Sequence, residues 1–443
     1  MPLLTSLCSP MPLAVGSLLF LLAAVLWMRL PIALLLAGLG VLGVGLLDGA
    51  FSARTLLGNE LWGNFFSYGL TVIPLFIFMG QICFYAGLNE RLYRALYTLV
   101  GHLPGGLAVA TLLACGGFAA ICGSNTATAA TMSGVALPEM RRYGYNQSLS
   151  AGTVAVGATL GVIIPPSVVL IVIGLQTGLS ISTLFLASII PGILLMLAFT
   201  LCAFIVARRH PEWAPRRPRA SLRERLHALP ELSEVVILWG GVLGGMGCGL
   251  VTPTEAGGLG SLLALLIGLL TRRIGMKGIL SAVCDTLRLT AMILLLVAGA
   301  MIYGKFLALT RLPFELAEMV ATLHVDPLLV LLLILIIYFI GGMLMDALAL
   351  LLITVPIFFP LMQGLGTDLV WFSIIVTVVT TMGAVTPPVG VCAYVVASSS
   401  LDIPLPSIFR GIVHYMPAYI GILVLLTLLP GLTTFIPSMV ATR

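Results

Sequence analysis

Long apolar runs follow one another along almost the whole chain, and they leave few ways for it to fold. They cover about residues 13–50, 68–86, 105–137, 147–175 and 179–207, and then 233–270, 279–309, 327–362, 368–398 and 411–437. A helix needs about 20 such residues to cross the hydrocarbon of a bilayer. Hydrophobic residues make up 60% of the 443 and charged residues 8%, against roughly 45–50% and 25% in soluble domains. That leaves too little polar surface for a soluble chain of this size. The pattern predicts an all-α polytopic membrane protein with roughly a dozen membrane segments.

Charge is sparse and placed unevenly. Seven arginines, Arg208, Arg209, Arg216, Arg217, Arg219, Arg223 and Arg225, fall in one polar, Pro-rich stretch between apolar runs. Such a cluster can mark a nucleic-acid patch. Flanked by spans, it reads instead as a cytoplasmic linker obeying the positive-inside bias, over about 208–232. No nucleic-acid partner is expected. The eight cysteines (Cys8, Cys83, Cys115, Cys122, Cys202, Cys248, Cys284, Cys392) form no C-x-x-C and no metal spacing, so they read as small buried hydrophobes. The histidines (His102, His210, His227, His324, His414) form no H-E-x-x-H pair, and no G-x-S-x-G occurs. An intramembrane protease or other enzyme therefore has no machinery to read. Leu13 to Leu30 follows no basic residue and shows no clear cleavage site, so it reads as an uncleaved first span.

The linker separates two halves, 1–207 and 233–443, that repeat each other at an offset of 222 residues. Pro138 and Met140 match Pro360 and Met362, Gly144 matches Gly366, and Thr159 matches Thr381. Gly161, Pro165 and Pro166 match Gly383, Pro387 and Pro388. All lie in one register without a gap. Internal duplication in a membrane protein points to a secondary transporter, with sites near the midplane at paired helix breaks. A passive channel fits this less well.

In each half a polar cluster and a Pro-Pro break stand out. Cys122-Gly-Ser-Asn-Thr-Ala-Thr-Ala-Ala-Thr131 interrupts an apolar run from 105 to 137. Gly123-Ser124-Asn125 is a turn and cap signal, so 105–137 reads as a re-entrant hairpin with its tip there. A helix starting at the tip favours anions, and hydroxyls and carbonyls at the same break suit a hard cation such as Na⁺. Gly157 to Ser167, G-A-T-L-G-V-I-I-P-P-S, cannot continue a straight helix, so 147–175 reads as a discontinuous helix facing the tip. The second half offers a hairpin over 327–362 with Asp346 where the first has Ser124. Its broken helix over 368–398 contains Thr380, Thr381, Gly383, Thr386 and Gly390. An ionisable residue inside an apolar run marks function or a partner; Asp346 could ligate a cation or cap the hairpin helix. Glu255, after Thr252-Pro253-Thr254, fits a first-turn acid. Glu139 with Arg141 and Arg142 fits an interfacial hairpin exit, and Lys305 can snorkel.

The stretches I-P-L-F-I-F-M-G-Q-I (73–82), G-H-L-P-G-G-L-A (101–108), G-S-N-T-A-T-A-A-T (123–131) and P-E-M-R-R-Y-G-Y (138–145) resemble the large membrane subunit of tripartite ATP-independent periplasmic (TRAP) transporters. So do G-V-I-I-P-P-S (161–167), T-P-T-E-A-G (252–257), G-G-M-L-M-D-A (341–347) and V-T-P-P-V-G (385–390). Two places depart from the family's pattern: Val391-Cys392-Ala393, where an Asn is common, and Thr367 to Trp371, which lacks the usual Pro and His.

The resemblance implies an inverted-repeat, elevator-type fold with a scaffold, two opposed re-entrant hairpins and two broken helices. It implies Na⁺ as coupling ion and a small carboxylate-containing organic solute. The partners would be a small TRAP membrane subunit and a periplasmic substrate-binding protein, in the bacterial inner membrane. Carried over by position, one Na⁺ site uses Ser124, Asn125 and Thr128 with Gly161. The other uses Gly342 and Asp346 with Thr381, Gly383 and Thr386. The solute is expected at Asn125, Thr126, Pro165, Pro166 and Ser167, with Pro387 and Pro388 from the second break. A stand-alone Na⁺/carboxylate symporter would share this fold and need no binding protein.

Overall fold

A computed structural model of the chain describes residues 10–27, 30–216, 218–322, 326–400 and 402–441. Cys8, Arg217 and His324 lie outside the described residues. The described chain is built of helices. Nine of them are long and apolar enough to cross a membrane, or ten if the bent pair Leu405–Val413 and Met416–Leu428 counts as one. This falls short of a dozen spans because part of the apolar sequence sits in helices too short to span. The expected first span begins as α1 (Pro10–Trp27), of which Pro10–Val25 is a shorter apolar helix among the described residues.

The two halves agree helix by helix. In the first, α2 (Ile32–Phe65), α3 (Val72–Tyr85) and α4 (Leu88–Val100) precede a hairpin of α5 (Gly106–Cys122) and α6 (Asn125–Arg142). A broken helix follows as α7 (Gln147–Ala158), α8 (Leu160–Ile163) and α9 (Val168–Thr177), then α10 (Ile181–Arg209). After the linker come α11 (Leu222–Trp239), α12 (Pro253–Leu270), α13 (Met276–Leu309) and α14 (Leu312–Thr322). The second hairpin is α15 (Pro327–Leu344) and α16 (Ala347–Gly364), and the second broken helix is α17 (Leu369–Gly383) and α18 (Val391–Ser399). The bent pair α19 (Leu405–Val413) and α20 (Met416–Leu428) and then α21 (Gly431–Ala441) close the chain.

The 222-residue offset holds at the boundaries. Asn125 and Ala347 each open the second hairpin arm, and Gln147 and Leu369 each open a broken helix. Gly144 and Gly366 both take a left-handed backbone, at φ 71 and 74°, where a side chain would be strained. The Pro165-Pro166 and Pro387-Pro388 bonds are both cis. Where α12 ends at Leu270, its counterpart α2 runs on through a kink at Gly49 (φ 90°).

The copies run in opposite senses. Asn146, at the start of the first broken helix, donates its backbone N–H to Trp213 of the linker at 2.9 Å. The first hairpin therefore opens toward the linker. Ser399 ends the second broken helix on that same face, where Asp402 pairs with Arg141 at 2.7 Å. The second broken helix thus ends where the first begins, and the second hairpin opens on the far face. Arg91, Arg141, Arg208, Arg209 and Arg273 crowd the linker face, the distribution that the positive-inside bias associates with a cytoplasmic side.

Two bodies follow from the packing. α2 lies on α13 and α3 on α12, a swapped pair across the repeats. Glycines bring these helices close: a Cβ on Gly40 would stand 2.8 Å from the Ile302 side chain, and one on Gly257 3.0 Å from Leu75 Cβ. At the linker face Glu234 of α11 takes Arg91 and Arg273, each at 2.9 Å, and Tyr85 donates to Asp285 at 2.6 Å. These contacts tie α3, α4, α11, α12 and α13 into a scaffold. The hairpins and broken helices form the other body. There α6 packs on α18 and α9 on α16, so each hairpin is braced by the broken helix of the other repeat.

Candidate functional site

The first tip is a two-residue link, Gly123-Ser124. Gly123 turns left-handed at φ 63° and donates its N–H to Ala119 at 3.1 Å. A Cβ there would meet the Pro166 carbonyl at 2.7 Å, so only glycine lets the tip touch the first break. Ser124 caps α6 by accepting the Ala127 N–H at 3.4 Å, and it hydrogen-bonds Thr126 at 3.2 Å. Thr128 donates its hydroxyl to the Ser124 carbonyl at 2.7 Å. Asn125 accepts the Thr126 N–H at 2.8 Å through Oδ1. Its amide nitrogen is buried with no partner.

At the second tip Met345 is extended, and Asp346 caps α16 by accepting the Leu348 N–H at 3.1 Å through Oδ2. Its other oxygen, Oδ1, is buried without a hydrogen bond. Asp346 is thus a cap and an unsatisfied carboxylate at once. Leaving such an atom unpaired costs roughly 1–3 kcal/mol or more, which a bound cation would offset.

The broken helices abut the tips through glycine. A Cβ on Gly161 would stand 2.6 Å from the Ser124 carbonyl oxygen and 2.9 Å from Thr128 Oγ1. In the second half, a Cβ on Gly342 would meet the Thr380 carbonyl at 2.5 Å, and one on Gly383 would meet that of Phe339 at 2.5 Å. The residues that end the two breaks also clasp the hairpins by backbone: the N–H of Val168, first residue of α9, reaches the Gly123 carbonyl at 3.4 Å, and that of Gly390, just before α18, reaches the Met343 carbonyl at 3.2 Å. Positions 168 and 390 are equivalent in the repeat. Carbonyls, joined at the first tip by the Thr128 hydroxyl, are therefore concentrated where each tip meets its break, a donor set that suits a hard monovalent cation.

Both tips open into one cavity of about 430 Å³, which holds Gly123, Ser124, Asn125, Thr126 and Asp346. The Asn125 amide faces the Asp346 carboxyl in this cavity and is its nearest side-chain donor among the described residues. The scaffold supplies one wall through Ile77 and Gln81 of α3 and Leu289, Met292 and Ile293 of α13, and the broken helices add Val162, Val168, Val169 and Val395.

Other expected residues sit around this cavity rather than in it. Thr128 and Gly161 form the contact behind the first tip, and Gly342, Gly383 and Thr380 the one behind the second. Ser167 is buried and caps α9 by accepting the Leu170 N–H at 3.4 Å. Pro165 and Pro166 are buried, whereas Pro387 and Pro388 are exposed, so the two breaks differ in exposure. Thr381 and Thr386 give their hydroxyls to Val378 and Met382, at 2.8 and 2.7 Å. Glu255 completes a capping box with Thr252, whose N–H it accepts at 2.8 Å. Glu139 sits 3.9 Å from Arg142 at the hairpin exit.

Two residues that carry no local sequence signal also hold the breaks. Trp239, the last residue of α11, donates its indole N–H to the Pro165 carbonyl at 3.0 Å. Tyr419, fully buried on α20, shares a 2.5 Å hydrogen bond with Thr159, and Thr381, the repeat equivalent of Thr159, faces the same phenol.

The family model described as "Tripartite ATP-independent periplasmic transporter, DctM component" matches residues 19–432. The chain is 34% identical to the C4-dicarboxylate TRAP transporter large permease protein DctM of Pseudomonas aeruginosa, covering 84% of this chain and 86% of that one. It is 30% identical to the sialic acid TRAP transporter large permease protein SiaM of Vibrio cholerae, covering 86% and 89%. Among solved structures it resembles the YdaH transporter of Alcanivorax borkumensis at TM-score 0.62 and 15% identity, over 87% of this chain and 89% of that chain, a likeness of fold alone. With a family match over nearly all of its length, this multi-pass membrane protein belongs to the tripartite ATP-independent periplasmic transporters, as a DctM-type large permease.

Proposed function

We propose that this permease moves a small carboxylate-containing organic solute into the cytoplasm in symport with Na⁺. In this reading it sits in the bacterial inner membrane beside a small TRAP membrane subunit and receives the solute from a periplasmic binding protein. The observation that carries the reading is Asp346: one oxygen caps α16, and the other is buried facing the neutral Asn125 amide, with no Lys, Arg or His paired to the carboxylate among the described residues. A buried carboxylate with no cationic side chain beside it calls for a cation. The carbonyls crowded against Gly342 and Gly383 would complete that cation's shell, and the Ser124 carbonyl against Gly161, with the Thr128 hydroxyl, would serve a second cation at the first tip. Two relatives are named for C4-dicarboxylates and for sialic acid, both carboxylates.

The tip cavity lies between the two bodies, so sliding the hairpin body against the scaffold would carry it across the membrane, as in an elevator. Coupling requires that ion binding favour the solute-competent arrangement. The test is uptake into proteoliposomes that contain the permease with its small subunit and binding protein. An inward Na⁺ gradient should drive it and a K⁺ gradient should not. Ser124→Ala and Asp346→Ala should lower uptake more than they lower the amount of protein. Normal Na⁺-driven uptake in both variants would overturn the site. Uptake without any binding protein would favour a stand-alone symporter.

A further inference from the structure

A second cavity lies along the same three helices as the tip cavity. In the tip cavity α9 contributes Val169, α13 Ile293 and α16 Leu348. Seven residues farther along each helix, Gln176, Ala300 and Val355 line a separate cavity of about 350 Å³. Seven residues are two helical turns, about 10 Å on the same helix face. The second cavity therefore stands directly outward of the first, in one groove between the scaffold and the hairpin body. One apolar layer that includes Ile173 and Leu352 separates them.

The repeat also places a counterpart on the cytoplasmic face. Pro360, Gln363 and Leu369 of the outer cavity correspond to Pro138, Arg141 and Gln147 of an inner cavity of about 630 Å³. The cationic Arg141 of the inner cavity becomes neutral Gln363 in the outer one. Its charge is instead supplied by the scaffold, through Lys305 of α13. Arg141 is paired with Asp402, whereas Lys305 has no carboxylate partner among the described residues. Gln176 in the outer cavity gives its amide N–H to the Leu352 carbonyl at 3.5 Å and leaves its buried amide oxygen without a donor.

We propose that this outer cavity is a docking site for the solute, in which Lys305 takes a carboxylate and the Gln176 oxygen accepts from a hydroxyl, amide or ammonium group. The proposal rests on the reading of the protein as a carboxylate permease. It adds a station two turns outward of the tips and a chemical class for the solute: a carboxylate that also carries a hydrogen-bond donor. Lys305 acts there as a solute-attracting residue and takes no part in holding the tips.

Malate serves as the probe, with the full-length chain reconstituted in phosphatidylcholine vesicles. A thiol is introduced by Gln363→Cys after Cys8, Cys122, Cys202, Cys248 and Cys284 are changed to Ser; the remaining Cys83, Cys115 and Cys392 are buried and react poorly. Modification by an anionic and by a cationic methanethiosulfonate is timed. The anionic reagent should be favoured, and Lys305→Gln should cut the anionic-to-cationic rate ratio about fivefold. Millimolar malate should slow modification where KCl of equal ionic strength does not, and Lys305→Gln should abolish that protection. Unchanged ratio and protection in Lys305→Gln would overturn the proposal. So would protection by phosphatidylglycerol but not by malate, which would make this a lipid phosphate site. The assay uses neither Na⁺ nor uptake, so failure of Na⁺ coupling at the tips would be seen separately. Lys305 is exposed, so a folded variant is expected, and its melting temperature checks this.

Discussion

Asp346 both caps a helix and presents a bare carboxylate oxygen, and the two roles can be pulled apart. Asparagine is as good an N-cap as aspartate but brings no charge. Asp346→Asn should melt within about 1 kcal/mol of the parent in K⁺ while losing any Na⁺-specific gain. Asp346→Ala should lose both. A full Na⁺ response in Asp346→Asn would show that the carboxylate is a cap alone. Gly161 offers a steric test. A methyl group there must push the Ser124 carbonyl, at 2.6 Å, so Gly161→Ala should cost about 1–3 kcal/mol. Gly134, on α6 of the same hairpin, has nothing within 4 Å of the place a methyl group would take. There Gly134→Ala should leave stability unchanged or raise it by up to about 1 kcal/mol. Equal effects of the two variants on detergent-solubilised protein would remove the close-contact argument.

At the scale of elements, the hairpins and breaks could be read in the sequence because glycine, proline and cap residues punctuate helices locally. Gly123-Ser124 and Pro165-Pro166 announce a turn and a break wherever they occur in an apolar run. The repeat offset then confirms each in the other half, down to the paired starts at Asn125 and Ala347. The scaffold wall of the cavity could not be read this way. Leu289, Met292 and Ile293 look like any lipid-facing residues, and only the packing of α13 against the tips gives them a role. Trp239 and Tyr419 were silent for the same reason: each is one aromatic residue among aliphatic neighbours, and its partner is distant in sequence. The difference between the buried Pro165-Pro166 and the exposed Pro387-Pro388 was hidden too, because identical motifs meet different neighbours. Tyr419→Phe should keep the packing against Phe199 and lose the hydrogen bond to Thr159, costing about 0.5–1.5 kcal/mol. A loss above about 3 kcal/mol in thermal or denaturant unfolding would show that the phenol does more than tie one break.

The whole molecule is two bodies meeting along a groove that holds both the tip cavity and the outer cavity. Motion of one body against the other can be followed with spin labels at Leu266 of the scaffold and Ser398 of the hairpin body, both exposed. In the assembled complex the distance between them should take at least two values, with populations that shift when Na⁺ and solute are added. One unchanging distance would contradict a sliding body. Cation binding at the tips stands beneath all of this, and thermal unfolding of the purified permease in Na⁺ against K⁺ at equal ionic strength tests it most directly. A ligand bound only by the folded state raises its stability by mass action. The expected result is a higher melting temperature in Na⁺, lost in Ser124→Ala and Asp346→Asn. Identical melting in the two salts would contradict a Na⁺ site built from this chain's own residues.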